Sequence, residues 1–203
     1  MLKFKNYNEI SQRLVKAVHD NNRHDFTDAL AIAQKGDGHE AMEVALESRL
    51  LHYVEELVPL CQPAHVEMTV VDAAQYGCSS IVERLIEMVS AEVLGHDVLA
   101  TALRQAIAYQ HLECVTVLLP YVDTTLGSSY PLQQAACSAK RSDCPILQTV
   151  LEVSNPNDAI LALRSRQGKD AAIERLEQCV SWKQRNTIQQ HIASEHTTRS
   201  RKI

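Results

Sequence analysis

The sequence predicts an all-α fold, a solenoid of about six stacked helix-turn-helix units. Three observations carry this. Apolar residues recur at helical spacing along nearly all of the 203-residue chain. Six Gly and six Pro leave few breakers for the many tight turns of an all-β fold. A motif of small residues, a turn and an apolar stripe returns roughly every 30 residues.

In chain order, the copies are "AVHDNNRHDFTDAL" from Ala17, "ALESRLLHYVEELV" from Ala45, "AAQYGCSSIVERLI" from Ala73 and "AIAYQHLECVTVLL" from Ala106. They continue with "AACSAKRSDCPILQTVL" from Ala135, which carries about three inserted residues, and a weaker "ALRSRQGKDAAIERL" from Ala162. The starts are 28, 28, 33, 29 and 27 residues apart. The third copy explains the unit. Ala73 and Ala74 sit on a first helix, where small side chains admit a neighbouring unit. Gly77 falls where that helix should stop, because glycine accepts a left-handed cap. Ile81, Val82, Leu85 and Ile86 then form one apolar stripe on a second helix. Each contributes roughly 1.5–3 kcal/mol when buried. A lone hairpin cannot bury both faces, so the copies must stack.

The units fall near residues 8–35, 36–63, 64–95, 96–125, 126–154 and 155–178. A capping helix is expected over 179–193, with Trp182 covering the last apolar face, and a mobile polar tail over 194–203. Residues 1–193 would form a single domain.

Residues 130–136, "YPLQQAA", resemble the Thr-Pro-Leu-His-x-Ala-Ala opening of ankyrin repeats. The copies from Ala73 and Ala106 resemble the rest of that consensus, and His111 matches the family's His after the turn. The resemblance spans roughly residues 8–178 and is strongest in the middle copies. No copy has the full Thr-Pro-Leu-His, and none has the Gly-Ala-Asp-Val-Asn finger loop. Segments 61–68 and 89–98 stand in its place, so the resemblance implies a degenerate array with short or missing β-hairpins.

Composition excludes several classes. Hydrophobic content of 45% with 22% charged residues suits a folded globular protein. Aromatics make up only 4%, so Ala, Leu, Val and Ile must fill the core. No run approaches the roughly 18 apolar residues of a membrane span. The opening "MLKFKNYNEIS" lacks the apolar core of a secretory signal. The expected location is therefore the cytoplasm or, for an effector, a host cytosol reached without such a signal. The six cysteines are scattered without Cys-x-x-Cys, as in a reduced compartment. Charge is uneven: residues 40–99 carry −9 and residues 164–203 carry +5, within a total of −5. Two readings stand for the acidic stretch: solvated outer faces, or a field that steers a basic partner.

Catalytic chemistry finds little support. Cys114 occupies a consensus Val position, and His52 and His111 fall at turns. Cys137 and Cys144 flank an inserted turn. No metal-ligand spacing or phosphate loop is present, so neither metal nor cofactor is expected. The sequence therefore predicts a non-catalytic protein-interaction module, with inhibitor, immunity protein and adaptor as its subtypes. The alternatives are an enzyme using His and Cys, hydrolase-like, and a nucleic-acid-associated protein using the basic C-terminal end. The partner is another protein, one with a basic surface on the steering reading. The chain itself is a monomer or a weak homodimer through its end repeats.

The ankyrin resemblance implies a concave binding face, built in part by exposed positions of the first helices. At aligned positions these are His19 and Asp20, Glu47 and Ser48, Gln75 and Tyr76, Ala108 and Tyr109, Cys137 and Ser138, and Arg164 and Ser165. Tyr76 and Tyr109 hold equivalent places in adjacent copies. They either anchor a partner or lie flat on their own turns.

Overall fold

The computed structural model describes residues 9–200, with side chains through Gln190. Among the described residues every regular element is a helix, and none is long and apolar enough to cross a membrane. The chain divides into two compact units, Met1–Val122 and Asp123–Ile203, where the sequence suggested one domain.

The first unit is built from α1 (Glu9–His19), α2 (Arg23–Leu30), α3 (His39–Glu47), α4 (Leu51–Leu57), α5 (Pro63–Tyr76), α6 (Ser79–Val89), the short α7 (Ala91–Leu94), α8 (His96–Ala108) and α9 (Leu112–Leu118). The pairs α1/α2, α3/α4, α5/α6 and α8/α9 are helical hairpins. First helices pack on first helices, α1 on α3, α3 on α5 and α5 on α8. Second helices follow, with α4 on α6 and α6 on α9. This ordering buries the two faces that one hairpin leaves open.

Each of the four hairpins closes with the same turn. A left-handed residue lies four positions after each aligned alanine: Asn21 (φ 49°), Arg49 (φ 56°), Gly77 (φ 76°) and Gln110 (φ 65°). The next backbone N–H then returns to the alanine carbonyl. The bonds are Asn22 to Ala17, Leu50 to Ala45 and Cys78 to Ala73, each at 2.8 Å, and His111 to Ala106 at 2.9 Å. This is the Schellman arrangement, which satisfies carbonyls orphaned at the helix end. The 33-residue step from Ala73 to Ala106 is longer than its neighbours because α7 is inserted between α6 and α8. Ser90 and Gly95, both at positive φ, bound α7, and Leu94 anchors it in the core.

The core follows the expected stripes. Ile81, Val82, Leu85 and Ile86 are buried, as are Cys114 and Tyr53. Phe26 meets Tyr53 edge-on at 4.5 Å, and the Arg23 guanidinium lies 5.6 Å from the Phe26 ring centroid. Ala41, Ala45, Ala73, Ala74, Ala102 and Ala106 have no exposed surface. They line the seams of α3, α5 and α8, where the absence of a longer side chain allows close helix approach.

The second unit contains α10 (Leu126–Ser138), α11 (Pro145–Val153), α12 (Pro156–Arg164) and α13 (Asp170–Ser200). Here α10 packs on α11, α12 and α13, and α13 also packs on α11 and α12. The repeat turn is altered. Ala139 still donates to the Ala135 carbonyl at 2.9 Å but is extended at φ −64°, ψ 136°, and the inserted residues follow it. Gly127, Ser128 and Ser129 are left-handed in succession, which breaks α10 just before Tyr130. The Gln133 side chain ties this break down by donating to the Gly127 and Ser128 carbonyls.

The end of the chain also departs from expectation. α13 is one helix from Asp170 to Ser200, so the helix expected over 179–193 is its middle. Trp182 is 47% exposed on α13. The polar tail expected over 194–203 lies outside the residues whose side chains are described.

Replacing Ala74 by Leu forces three extra heavy atoms into a seam where Ala74 has no exposed surface. The variant should lose about 1–3 kcal/mol of stability. Urea unfolding reads this as a lower midpoint with an unchanged slope. An unshifted midpoint would contradict the placement of the seam.

Candidate protein-interaction surface

Three helix faces of the first unit carry the expected ladder. Glu47 and Ser48 are exposed at the end of α3, and Gln75 and Tyr76 are half-buried at the end of α5. Ala108 and Tyr109 are exposed at the end of α8, Tyr109 by 55%.

The structure links several of these groups. The Tyr76 hydroxyl donates to Glu47 Oε1 at 3.4 Å, and Arg49 Nη2 donates to the Tyr76 carbonyl at 3.1 Å. Burial, then the charges of Glu47 and Asp72, raise the Tyr76 phenol pKa above its usual value. His111 Nε2 lies 2.9 Å from the Gln75 carbonyl, a bond that requires the proton on that nitrogen. Its ring covers Gly77 so closely that a Cβ there would sit 2.5 Å from His111 Nδ1. Tyr109 lies parallel to the same ring, centroids 6.5 Å apart. His111 thus joins the two tyrosine-bearing turns, and Gly77 is needed both for its φ and for this approach. Tyr76 is partly engaged with its neighbours, whereas Tyr109 is open.

Of the remaining ladder positions, His19 and Asp20 lie in the first unit and Cys137, Ser138, Arg164 and Ser165 in the second. His19 Nδ1 meets Asp20 at 3.1 Å at the exposed end of α1. Arg164 pairs with Glu177 at 3.1 Å within the second unit. Cys137 is exposed and Ser138 half-buried on α10, and the Ser165 hydroxyl donates to the Ala162 carbonyl.

Two features were not anticipated from the sequence. The first is a groove of about 420 Å³ between α5 and α8, lined by Glu67, Met68, Val71, Asp72, Asp97, Val98 and Thr101. Its α5 side runs through Met68 and Asp72 toward Tyr76 at four-residue spacing, the i, i+4 row of a helix. Burial raises the Asp72 carboxyl pKa, and the opposing influence is His39.

The second is a pair of stacked imidazoles. His39 on α3 and His65 on α5 lie 3.8 Å apart at 12°. The Nδ1 atoms of both rings are buried without a hydrogen-bond partner. His39 Nε2 lies 3.6 Å from Glu43 Oε1. Burial lowers the His65 pKa, as does His39, while Glu43 opposes both. Only the His39/Glu43 i, i+4 spacing was visible in the sequence. The stacking joins residues 26 positions apart.

Burial pushes Cys61 and Cys114 up to about 11, so both are protonated at neutral pH. Among the described residues no three His, Cys, Asp or Glu side chains are arranged to hold a metal. Comparison with protein-family models, curated proteins and solved structures gives no match.

The histidine pair implies a pH dependence of stability. Burial holds the folded-state pKa of His65 below the ordinary histidine value, so the unfolded chain takes up the proton first as pH falls. Stability should therefore decline as pH drops below roughly 6.5 and level off once folded His65 also protonates. His65→Gln should flatten that decline in denaturation midpoints measured between neutral and mildly acidic pH. An equally steep decline in the variant would assign the effect to other groups.

Proposed function

We propose that this chain is a non-catalytic protein-interaction module. Its first unit acts as a degenerate ankyrin-like solenoid without β-hairpin fingers and binds a protein partner on the exposed sides of α3, α5 and α8. The observation that carries this reading is the fourfold recurrence of one turn, left-handed four residues after each aligned alanine. Such recurrence keeps first helices beside first helices, so equivalent side chains form a continuous row. Glu47, Gln75, Tyr76 and Tyr109 supply that row with charge, an amide and two aromatic rings. Tyrosine suits such a role because it offers much contact area at small entropic cost. On this reading Ser48, Asp20 and His19 flank the row, and Arg164 lies in the second unit. A cytoplasmic inhibitor, immunity protein or adaptor is the matching biological role.

The test is recovery of partners from native lysate on the wild-type chain, followed by affinity measurement on variants. Tyr109→Ala should weaken the recovered complex by about 2 kcal/mol if the ring is an anchor, with an unchanged melting temperature. Adding Tyr76→Ala should weaken it further. That second change also removes the bond to Glu47, so Tyr76→Phe serves as the control for the hydroxyl. A partner indifferent to the double change would place binding elsewhere.

A further inference from the structure

We propose that the α5–α8 groove receives an arginine- or lysine-bearing amphipathic segment of the partner, its cation beside Asp72 and Asp97 and its apolar side on Met68, Val71 and Val98. The inference rests on the interaction reading above and specifies the partner's chemistry.

The argument begins with an imbalance of charge. Every charged residue lining the groove is acidic: Glu67, Asp72 and Asp97. Residues 40–99 hold eleven acidic side chains and only two basic ones, Arg49 and Arg84. Both are engaged elsewhere. Arg49 donates to the Tyr76 carbonyl, and Arg84 pairs with Glu87 at 3.1 Å and Glu55 at 3.8 Å on the second-helix side. Arg23 is likewise engaged with Glu56. The two arginines of residues 40–99 thus sit at a turn and on a second helix, and no basic side chain lines the groove. His39 is the titratable base felt by Asp72, and Arg104, one turn beyond Thr101, does not line the groove.

The floor then selects among cations. Met68 is 51% exposed, and Val71 and Val98 line the groove beside it. A small hydrated ion would gain nothing from that surface. A basic side chain with apolar neighbours would cover it while its charge met the carboxylates. Asp72 is already partly desolvated, so an arriving guanidinium replaces hydration that burial has removed and forms a charge-assisted bond.

The probe is a fluorescent helical peptide of Leu and Arg at i, i+4 spacing, with a Glu-for-Arg peptide as its counterpart. Anisotropy should show saturable binding of the Arg peptide alone, weakening as salt rises. Asp72→Asn with Asp97→Asn should reduce affinity about tenfold, while Glu55→Gln with Glu87→Gln, the same charge change on the other side, should leave it within about twofold. Methyl shifts at Met68, Val71 and Val98 should accompany binding. Melting temperature checks the fold, and Asp72→Asn should be tolerated because burial already disfavours the charge. Equal loss in both double variants, or methyl shifts confined to other surfaces, would overturn the proposal. A lysate partner that responds to the tyrosine changes but not to the groove changes would also overturn it, while leaving the interaction reading intact.

Discussion

Close approach of first helices through buried alanine is the constraint on which the rest of the first unit depends. Ala41 and Ala45 on α3, Ala73 and Ala74 on α5, and Ala102 and Ala106 on α8 have no exposed surface. A methyl group fills little space, so these helices can lie side by side over their length. That proximity fixes which residues remain outside, because a helix that buries one stripe must present the opposite one. Glu47, Tyr76 and Tyr109 emerge on the presented side as a consequence. The recurrent turn acts with the seam, since a left-handed cap four residues after each alanine sends every second helix back in the same register. His111 joins the two devices: its ring packs over Gly77 and its nitrogen meets the Gln75 carbonyl, tying the turn after α8 to the turn after α5.

Electrostatics follow from the same geometry. The acidic excess of residues 40–99 is shared by both layers, with Glu47, Asp72 and Asp97 on first helices and Glu55, Glu56, Glu83 and Glu87 on second helices. The two arginines available in residues 40–99 are held at a turn and on the second-helix side. What remains around Asp72 is a half-buried carboxyl, an exposed methionine and a neighbouring imidazole pair. Each is a modest liability in the isolated protein. The buried Nδ1 atoms of His39 and His65 forgo hydrogen bonds, and the burial of Asp72 disfavours its charge.

Much of this fold was legible in the sequence, and the reasons differ by residue. The alanine period and the Ile81–Ile86 stripe are local patterns, and both correspond to seams and core. Gly77 was legible because glycine advertises a left-handed cap. Asn21, Arg49 and Gln110 adopt the same conformation without glycine, so the equivalence of the four turns emerges only from the backbone. Helix α7 was hidden in a segment assigned to a reduced finger, although the longer step to Ala106 recorded its presence. The groove and the stacked histidines were not legible, because each requires two helices to be placed side by side. In the second unit the inserted turn was legible as about three extra residues in the copy from Ala135, whereas the continuous α13 was foreshadowed only by the weaker copy from Ala162. Trp182, expected to cover the last apolar face, is 47% exposed on α13.

The central claim is that the alanine seam, and not the individual hairpin, is the cooperative element of the first unit. Native-state amide hydrogen exchange measures this directly, because local opening free energies rank segments by the structure that must break to expose them. The account predicts that the slowest-exchanging amides of the first unit are those of α5 and α8 around Ala73, Ala74, Ala102 and Ala106, with the two helices sharing one opening free energy. Slower exchange in α6 and α9 than in α5 and α8, or separate opening of the α5/α6 and α8/α9 hairpins, would contradict it.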